Sequence, residues 1–126
     1  MLLLSFFISF TFLFGQYNFD LEDLNINSEY YGQLVGPSDF QNQVILVYFG
    51  HFNWGLCTTR FGQLNDFYQE QLDLGNGNKI KLFGVGKSTH LSYLSQWTNN
   101  NSGIVIADPS PNSTWSNWGA SQRDLF

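Results

Sequence analysis

The chain has 126 residues, a net charge of -5 at pH 7 and only five lysines and arginines, so neither a nucleic-acid backbone nor an anionic membrane surface is expected as its partner. Its length suits one domain with a modest core. The single cysteine excludes a framework of internal disulfides, and the fold must therefore depend on packing.

The first fifteen residues, MLLLSFFISFTFLFG, are almost entirely apolar and carry no charged side chain. This run is too short to span a bilayer comfortably, and its length matches the hydrophobic region of a secretory signal. A buried N-terminal strand and a membrane anchor are the alternatives. We predict a signal peptide over residues 1–15, cleaved near Gly15 or Gln16, and a secreted, extracellular protein with no membrane contact after cleavage.

Residues 16–42 are polar and acidic, and glycine and proline interrupt the segment. This composition predicts an irregular N-terminal arm that holds one short strand or none. The acidic group formed by Asp20, Glu22 and Asp23 has no histidine or cysteine near it. This composition favours a solvated face over a metal site. We predict no metal site elsewhere in the chain.

Residues 43–72, QVILVYFGHFNWGLCTTRFGQLNDFYQEQL, contain a strand, a turn and a helix in immediate succession. The β-branched and aromatic run at 44–49 predicts a strand covered on both faces, as in a parallel sheet. After the turn, an apolar stripe at helical spacing predicts a core-facing helix. The stripe consists of Cys57, Phe61, Leu64, Tyr68 and Leu72, widened by Phe67. Polar residues such as Asn65 are assigned to the solvent side.

The remaining chain alternates strands and helices. We predict strands over 79–85 and 104–107, with a short helix that carries Leu91, Leu94 and Trp97 between them. The sequence GVGKS resembles the end of a phosphate-binding P-loop. That motif requires a glycine five places before Gly86, and this glycine is absent. The alternation predicts a parallel α/β sheet built with right-handed crossovers.

The buried strand, the aromatic-containing turn and the cysteine at a helix start together resemble the thioredoxin fold, whose redox motif is C-x-x-C. More narrowly, the stretch is similar to the N-terminal domain of selenoprotein P, in which selenocysteine, two residues and a cysteine follow a comparable strand. Cys57 matches that cysteine, and Trp54 stands at the redox-leading position. Trp115 and residues 124–126 match the family's tryptophan and its acidic and apolar strand start. The resemblance spans most of residues 43–126.

This resemblance implies a thioredoxin-like βαβαβ sheet sandwich over residues 43–126 and a thiol or selenol redox role, antioxidant and linked to selenium. Cys57 would be the resolving thiol and position 54 the attacking atom, with a thiol or a peroxide as substrate. Because tryptophan cannot attack, the alternative is a redox-inactive module that binds a protein or peptide partner. The only cofactor that we expect is selenium, as selenocysteine at position 54, since UGA encodes selenocysteine and some genetic codes read it as tryptophan.

The resemblance also locates a substrate groove. Thioredoxin-like proteins place a cis-proline facing the redox pair, just before the first strand of a C-terminal hairpin. Its equivalent is Gly103 if that strand is 104–106, and Arg123 if the strand begins at Asp124. Neither residue is proline. The family continues through the rest of the hairpin and a final helix, so we expect a C-terminally truncated chain.

Four further residues are candidates for function or modification. His51 lies beside the redox turn and could stabilise a thiolate or carry a proton, although a single loop histidine is more often solvent-exposed. His90 is predicted at a helix start. Asn100 and Asn112 begin glycosylation sequons in predicted loops, which fits secretion. Cys57 itself is expected to be buried and inert, because the second motif position lies deeper under the helix.

Overall fold

The computed structural model of the protein describes residues 17–126. The predicted signal peptide and its cleavage point lie outside these residues. Within them, no helix combines the length and the apolar character that a membrane span requires.

Short strands and helices precede and follow one long helix. The strands are β1 (Leu21–Glu22), β2 (Leu34–Val35), β3 (Val44–Phe49), β4 (Ile80–Lys87) and β5 (Ile104–Asp108). The α-helices are α1 (Gly55–Asp73), α2 (Ser95–Thr98) and α3 (Ser113–Trp118), and Pro37–Phe40 and Ser88–Tyr93 form 3-10 helices. The predicted short helix around 91–97 is thus a 3-10 helix followed by one turn of α-helix.

The central sheet has the order β3-β4-β5, and both pairings are parallel. Helix α1 connects β3 to β4, and the second helical segment connects β4 to β5. This topology confirms the predicted parallel βαβαβ arrangement. Because all three strands run in one direction, the turns that follow them meet at a single edge of the sheet.

Residues 124–126 extend the sheet on the other side of β3. The backbones of Val47 and Phe126 exchange two hydrogen bonds of 3.0 Å, and the Phe49 N–H donates to the Asp124 carbonyl at 2.9 Å. The pairing is antiparallel. The carboxyl half of β3 therefore has backbone neighbours on both sides, whereas Val44 at its other end is 60% exposed.

Apolar clusters cover the two faces of the sheet. On one face, side chains of the arm and of α3 pack against the strands. This cluster includes Phe19, Val35, Phe40, Trp115 and Trp118 with Phe49, Phe83, Val85 and Ile106. On the other face, α1 and α2 pack against the strands. That cluster includes Cys57, Phe61, Tyr68 and Trp97 with Tyr48, Leu82 and Val105.

The glycines of the GVGKS sequence are packing residues. A Cβ on Gly84 would lie 2.9 Å from the Trp97 ring and 2.6 Å from the Phe61 ring, and a Cβ on Gly86 would collide with the Phe52 ring. These aromatic rings occupy the space that any side chain would fill. The sequence therefore has a structural explanation that does not involve phosphate.

The N-terminal arm is integrated into the fold. It holds two short strands, β1 and β2, paired antiparallel, so the expectation of one strand or none is wrong. The Leu24 N–H donates to the Val105 carbonyl at 2.8 Å. Asp20 and Glu22 are exposed, but Asp23 is fully buried, which corrects the prediction of a solvated acidic face.

Asp23 is buried because its carboxylate replaces a backbone acceptor. Its Oδ1 accepts from the Asn25 N–H at 2.9 Å and from the Val105 N–H at 3.1 Å. Burial raises the pKa of the Asp23 carboxyl, although these hydrogen bonds and one with Ser28 oppose the rise.

Asn65 also departs from its predicted position on the solvent side of α1. It is 4% exposed, and its Oδ1 accepts from the Ser102 N–H at 2.8 Å and the Gly103 N–H at 2.9 Å. Asn65 therefore fixes the start of β5 to α1. Phe67, predicted to widen the apolar stripe, is instead 44% exposed.

Replacing Asn65 with alanine should leave both backbone N–H groups without an acceptor. We expect the free energy of unfolding to fall by about 2–4 kcal/mol, measured by urea denaturation. Gln63→Ala, on the exposed part of the same helix, is the control and should change the stability by less than about 0.5 kcal/mol. Equal effects of the two substitutions would contradict this role of Asn65.

Candidate functional site

The site lies at the carboxyl edge of the parallel strands, where open α/β sheets bind ligands. The end of β4, the turns after β3 and β4, the first turn of α1 and the start of α3 contribute its side chains. We call this group the carboxyl-edge site. It comprises His51, Trp54, Cys57, Lys87, His90 and Trp115.

Trp54 is the N-cap residue of α1. Its backbone is extended, and its carbonyl accepts the Thr58 N–H at 3.0 Å, while its own N–H donates to the His51 carbonyl at 3.2 Å. The indole is 46% exposed and makes no capping hydrogen bond. Position 54 thus projects its side chain into solvent at the end of α1 where free N–H groups and the positive end of the helix dipole lie.

Cys57 lies in the first turn of α1 and points the other way. It is free and fully buried, within the cluster that contains Tyr48, Phe61 and Trp97. Its predicted burial is confirmed. Burial, and then the neighbouring Cys57 thiol, raise the pKa of the Tyr48 hydroxyl.

His51 and His90 form a pair at the centre of the site. Their ring centroids are 4.9 Å apart, because His51 follows β3 and His90 lies in the 3-10 helix after β4. The sequence did not predict that the two histidines meet, and the expectation of a solvent-exposed His51 is wrong because the residue is half-buried. The available signal was that each histidine follows the carboxyl end of a predicted strand.

The surroundings of His51 favour its neutral form. Its pKa is lowered by burial, then by His90 and Lys87. The His51 ring also approaches Trp115 at 5.6 Å and Trp54 at 6.3 Å between centroids. His51 therefore connects position 54 to the rest of the site.

Trp115 contacts both His51 and Lys87 in the site. The Lys87 Nζ lies 4.3 Å from the centroid of its ring, within the range of a cation–π interaction. Its backbone N–H donates to the Asp108 Oδ2 at 3.0 Å, and its Nε1 donates to the Gly86 carbonyl at 3.4 Å. These bonds hold α3 against the ends of β4 and β5.

The two predicted groove residues lie at opposite edges of the sheet. Arg123 directly precedes residues 124–126, has a positive φ of 72°, and donates its N–H to the Phe49 carbonyl at 2.6 Å. Gly103 lies at the amino end of β5, where a Cβ would meet the Leu82 side chain at 3.0 Å. The structure thus places Arg123 at the carboxyl end of β3 and does not bring Gly103 near Cys57.

The two sequon asparagines differ in accessibility. Asn100 is exposed in the turn after α2, whereas Asn112 is half-buried at the N-cap of α3. Their glycosylation stays a prediction. Within residues 17–126, no three histidine, cysteine or acidic residues are grouped to hold a metal ion.

Comparisons of the structure with solved structures identify the fold. The chain is similar to a thioredoxin candidate from Neisseria meningitidis (TM-score 0.62, 16% identity, 82% of this chain and 64% of that chain). It is also similar to dsbF of MTB (0.65, 13%, 88% and 84%) and to a thiol:disulfide interchange protein from Bacteroides sp. (0.62, 13%, 86% and 68%). The predicted thioredoxin-like fold is confirmed.

The sequence comparisons add no family. No family model matches the chain, and no curated protein matches it. The chain spans 64% of the length of the Neisseria protein.

Burial predicts that Cys57 reacts slowly in the native state. At neutral pH, iodoacetamide should modify it at least about a hundredfold more slowly than in the urea-unfolded chain, because the thiol must wait for local opening. Thr59→Cys places a second thiol on an exposed position of the same helix and should be modified rapidly. Native Cys57 reacting as fast as that added thiol would contradict the prediction.

Proposed function

We propose that this protein is a thiol or selenol redox domain of the selenoprotein P N-terminal type, in which position 54 carries the attacking atom and Cys57 resolves. One observation carries the proposal. Position 54 is exposed at the start of α1, and Cys57 is buried in the first turn of the same helix. A reactive atom and its resolving thiol need this division between access and protection.

The environment of position 54 favours an anion. The free N–H groups of α1 and its dipole lower the pKa of a thiol or selenol placed there. The tryptophan written at this position gains little from it, since its indole is about half exposed and does not cap the helix. This mismatch supports selenocysteine, encoded by UGA, as the residue inserted at position 54.

The chemistry balances with either substrate. A selenolate attacks one sulfur of a disulfide, so a Se–S bond forms, the S–S bond breaks and the leaving thiolate takes a proton. Cys57, as thiolate, then attacks selenium, which releases the second substrate thiol and leaves an internal Se–S bond. With a peroxide, the selenolate takes one oxygen and releases water or an alcohol, and Cys57 then forms the Se–S bond with loss of water. Two external thiols then reduce that bond and are themselves oxidised to a disulfide.

His51 is placed to handle protons in this reaction. Its ring is the imidazole adjacent to position 54, and its lowered pKa favours the neutral form. A neutral imidazole can accept the proton of the selenol and return it to the leaving thiolate.

A redox-inactive binding module is the second candidate. Its support is that the only cysteine is inaccessible, while Trp54 and Leu56 expose apolar surface at the start of α1, with Leu56 63% exposed. Exposed aromatic residues of this kind are typical anchors of protein interfaces. In this case Trp54 is genuine and contacts a protein or peptide partner.

We further propose that the protein is secreted, supported by the apolar residues 1–15 and the exposed sequon at Asn100. Expressed with its native start in a secretory cell, it should reach the medium with a mature N-terminus near residue 16. N-terminal sequencing and the glycan mass at Asn100 test this. Recovery of the intact N-terminus from the cytosol would refute it.

The selenium proposal predicts that codon 54 is UGA and that the natural protein contains selenium. Genomic sequencing and elemental mass spectrometry of the purified protein measure both. A UGG codon would exclude selenocysteine and leave the binding module as the better candidate.

An engineered chain tests the scaffold independently of the codon. Trp54→Cys restores C-x-x-C at the helix start and should gain disulfide reductase activity towards insulin, by at least about a hundredfold over the tryptophan form. The matched control, Trp54→Cys with Cys57→Ser, can form only the mixed disulfide and should not turn over. A folded Trp54→Cys protein without activity would contradict the proposed division of roles.

A further inference from the structure

Tyr48 is the last residue of β3 whose side chain faces α1. Successive strand residues point to opposite faces of a sheet, and Tyr48 belongs to the buried cluster on the α1 side, whereas Phe49 belongs to the cluster on the other side. The Tyr48 ring stacks on that of Phe61, with 6.4 Å between centroids. Phe61 follows Cys57 on the same face of α1. The Tyr48 ring therefore packs against the part of α1 that carries the thiol.

The Tyr48 ring also leans towards the start of α1. A Cβ on Gly50, the residue that follows β3, would lie 3.1 Å from the Tyr48 Cε1, and Cε1 is bonded to the carbon that carries the hydroxyl. The side chain thus extends towards the carboxyl end of β3, where α1 begins. Tyr48 and Cys57 are both fully buried there.

The Tyr48 hydroxyl has no oxygen or nitrogen partner. Its oxygen is buried, and no such atom of the described residues forms a hydrogen bond with it. A buried hydroxyl without a partner destabilises a fold, whereas phenylalanine fills the same space without that cost. Stability alone therefore does not explain a tyrosine at this position, and a role in a reaction is one of the recognised reasons for such a group.

The Cys57 thiol is the reactive group beside this hydroxyl. Burial raises the pKa of Tyr48 most, followed by the charge of Cys57 and a hydrogen bond with Cys57. The charged groups that oppose this rise are Arg60 and Arg123, both exposed. Because its pKa is raised, the phenol keeps its proton at neutral pH and acts as a donor.

We propose that the Tyr48 hydroxyl donates a hydrogen bond to the Cys57 thiolate, which makes Tyr48 a positioning residue for the resolving step. The inference rests on the proposed redox function, in which Cys57 resolves. Cys57 gives its proton to water, and its thiolate accepts from Tyr48. The thiolate then attacks the selenium or sulfur of residue 54. A bond between residues 54 and 57 forms, the bond from residue 54 to the substrate sulfur breaks, and the leaving thiolate takes a proton.

Tyr48 keeps its own proton throughout this step and compensates for the burial of Cys57. A buried thiolate is disfavoured unless a donor or a positive charge faces it. Hydrogen bonds to a charged acceptor are the strong ones, and a phenol supplies one without opening the cluster to water. The hydroxyl is thus a cost while Cys57 is a thiol and a gain once it is a thiolate.

Tyr48→Phe removes only the hydroxyl and tests the hydrogen bond in the unaltered chain, which carries Trp54. Carbon-13 at the cysteine Cβ reports ionisation of the single cysteine in an NMR titration. Cys57 should ionise at a higher pH in Tyr48→Phe than in the unaltered chain. Tyr68→Phe, in the same buried cluster but further along α1, is the matched control and should leave the titration unchanged. Identical titrations of Tyr48→Phe and the unaltered chain would overturn the proposal.

The resolving step itself is measured in the Trp54→Cys chain with dithiobis(nitrobenzoate). Attack by the thiol at position 54 releases one nitrothiobenzoate, and resolution by Cys57 releases the second. Adding Tyr48→Phe should slow the second release relative to the first by at least about threefold at pH 7, because less thiolate is present. On the alkaline plateau the second release should be as fast or faster, because a thiolate without a hydrogen bond is the better nucleophile.

This pH profile separates a role in the reaction from damage to the fold. A damaged fold would slow the second release at every pH, and that result, or equal rates at pH 7, would overturn the role of Tyr48. Absence of the first release would instead contradict the proposed attack from position 54. The NMR titration then decides on the hydrogen bond, because it does not depend on residue 54.

Discussion

Trp97 sets the spacing on which the site depends. Its ring is fully buried, stacks on Phe61 at 4.7 Å between centroids and lies against the bare backbone of Gly50 and Gly84. Because Gly84 carries no Cβ, Phe61 of α1 and Trp97 of α2 pack directly against the backbone of β4. Cys57 belongs to the same cluster, so this packing buries the thiol and fixes the helix start that exposes position 54.

Local sequence patterns predicted those elements whose buried face is visible in the spacing of their own apolar residues. The apolar run at 44–49 predicted β3, and the helical stripe from Cys57 to Leu72 predicted α1. In both cases the apolar residues that become buried are recognised by their spacing within one element. Asp23 and Asn65 could not be placed in this way. Their burial is compensated by hydrogen bonds to Val105 and Gly103, which are distant in the sequence, and periodicity contains no information about such partners.

The same distinction applies to the site. The relation between position 54 and Cys57 is local, so spacing and resemblance were enough to predict it. The pairing of His51 with His90 depends on the parallel register of β3 and β4, in which Phe49 lies opposite Val85. Strand direction separates Gly103 from Arg123. Gly103 precedes β5, which is parallel to its neighbour β4, and lies at the amino edge of the sheet. Arg123 precedes residues 124–126, which run antiparallel to β3, and lies at the carboxyl edge. The register and direction of strands are set by pairing between segments that are distant in the sequence, so they could not be predicted from local patterns.

The contact between the arm and β5 has a consequence for self-association. An outer strand with free backbone groups is a template for pairing with another chain, and this can lead to aggregation. Here the Leu24 N–H occupies the Val105 carbonyl, and the Asp23 carboxylate occupies the Val105 N–H. The Asp23 carboxylate oxygen accepts the hydrogen bond that the carbonyl of an incoming strand would otherwise accept. The arm therefore protects the β5 edge of the sheet against cross-β growth without adding a full strand.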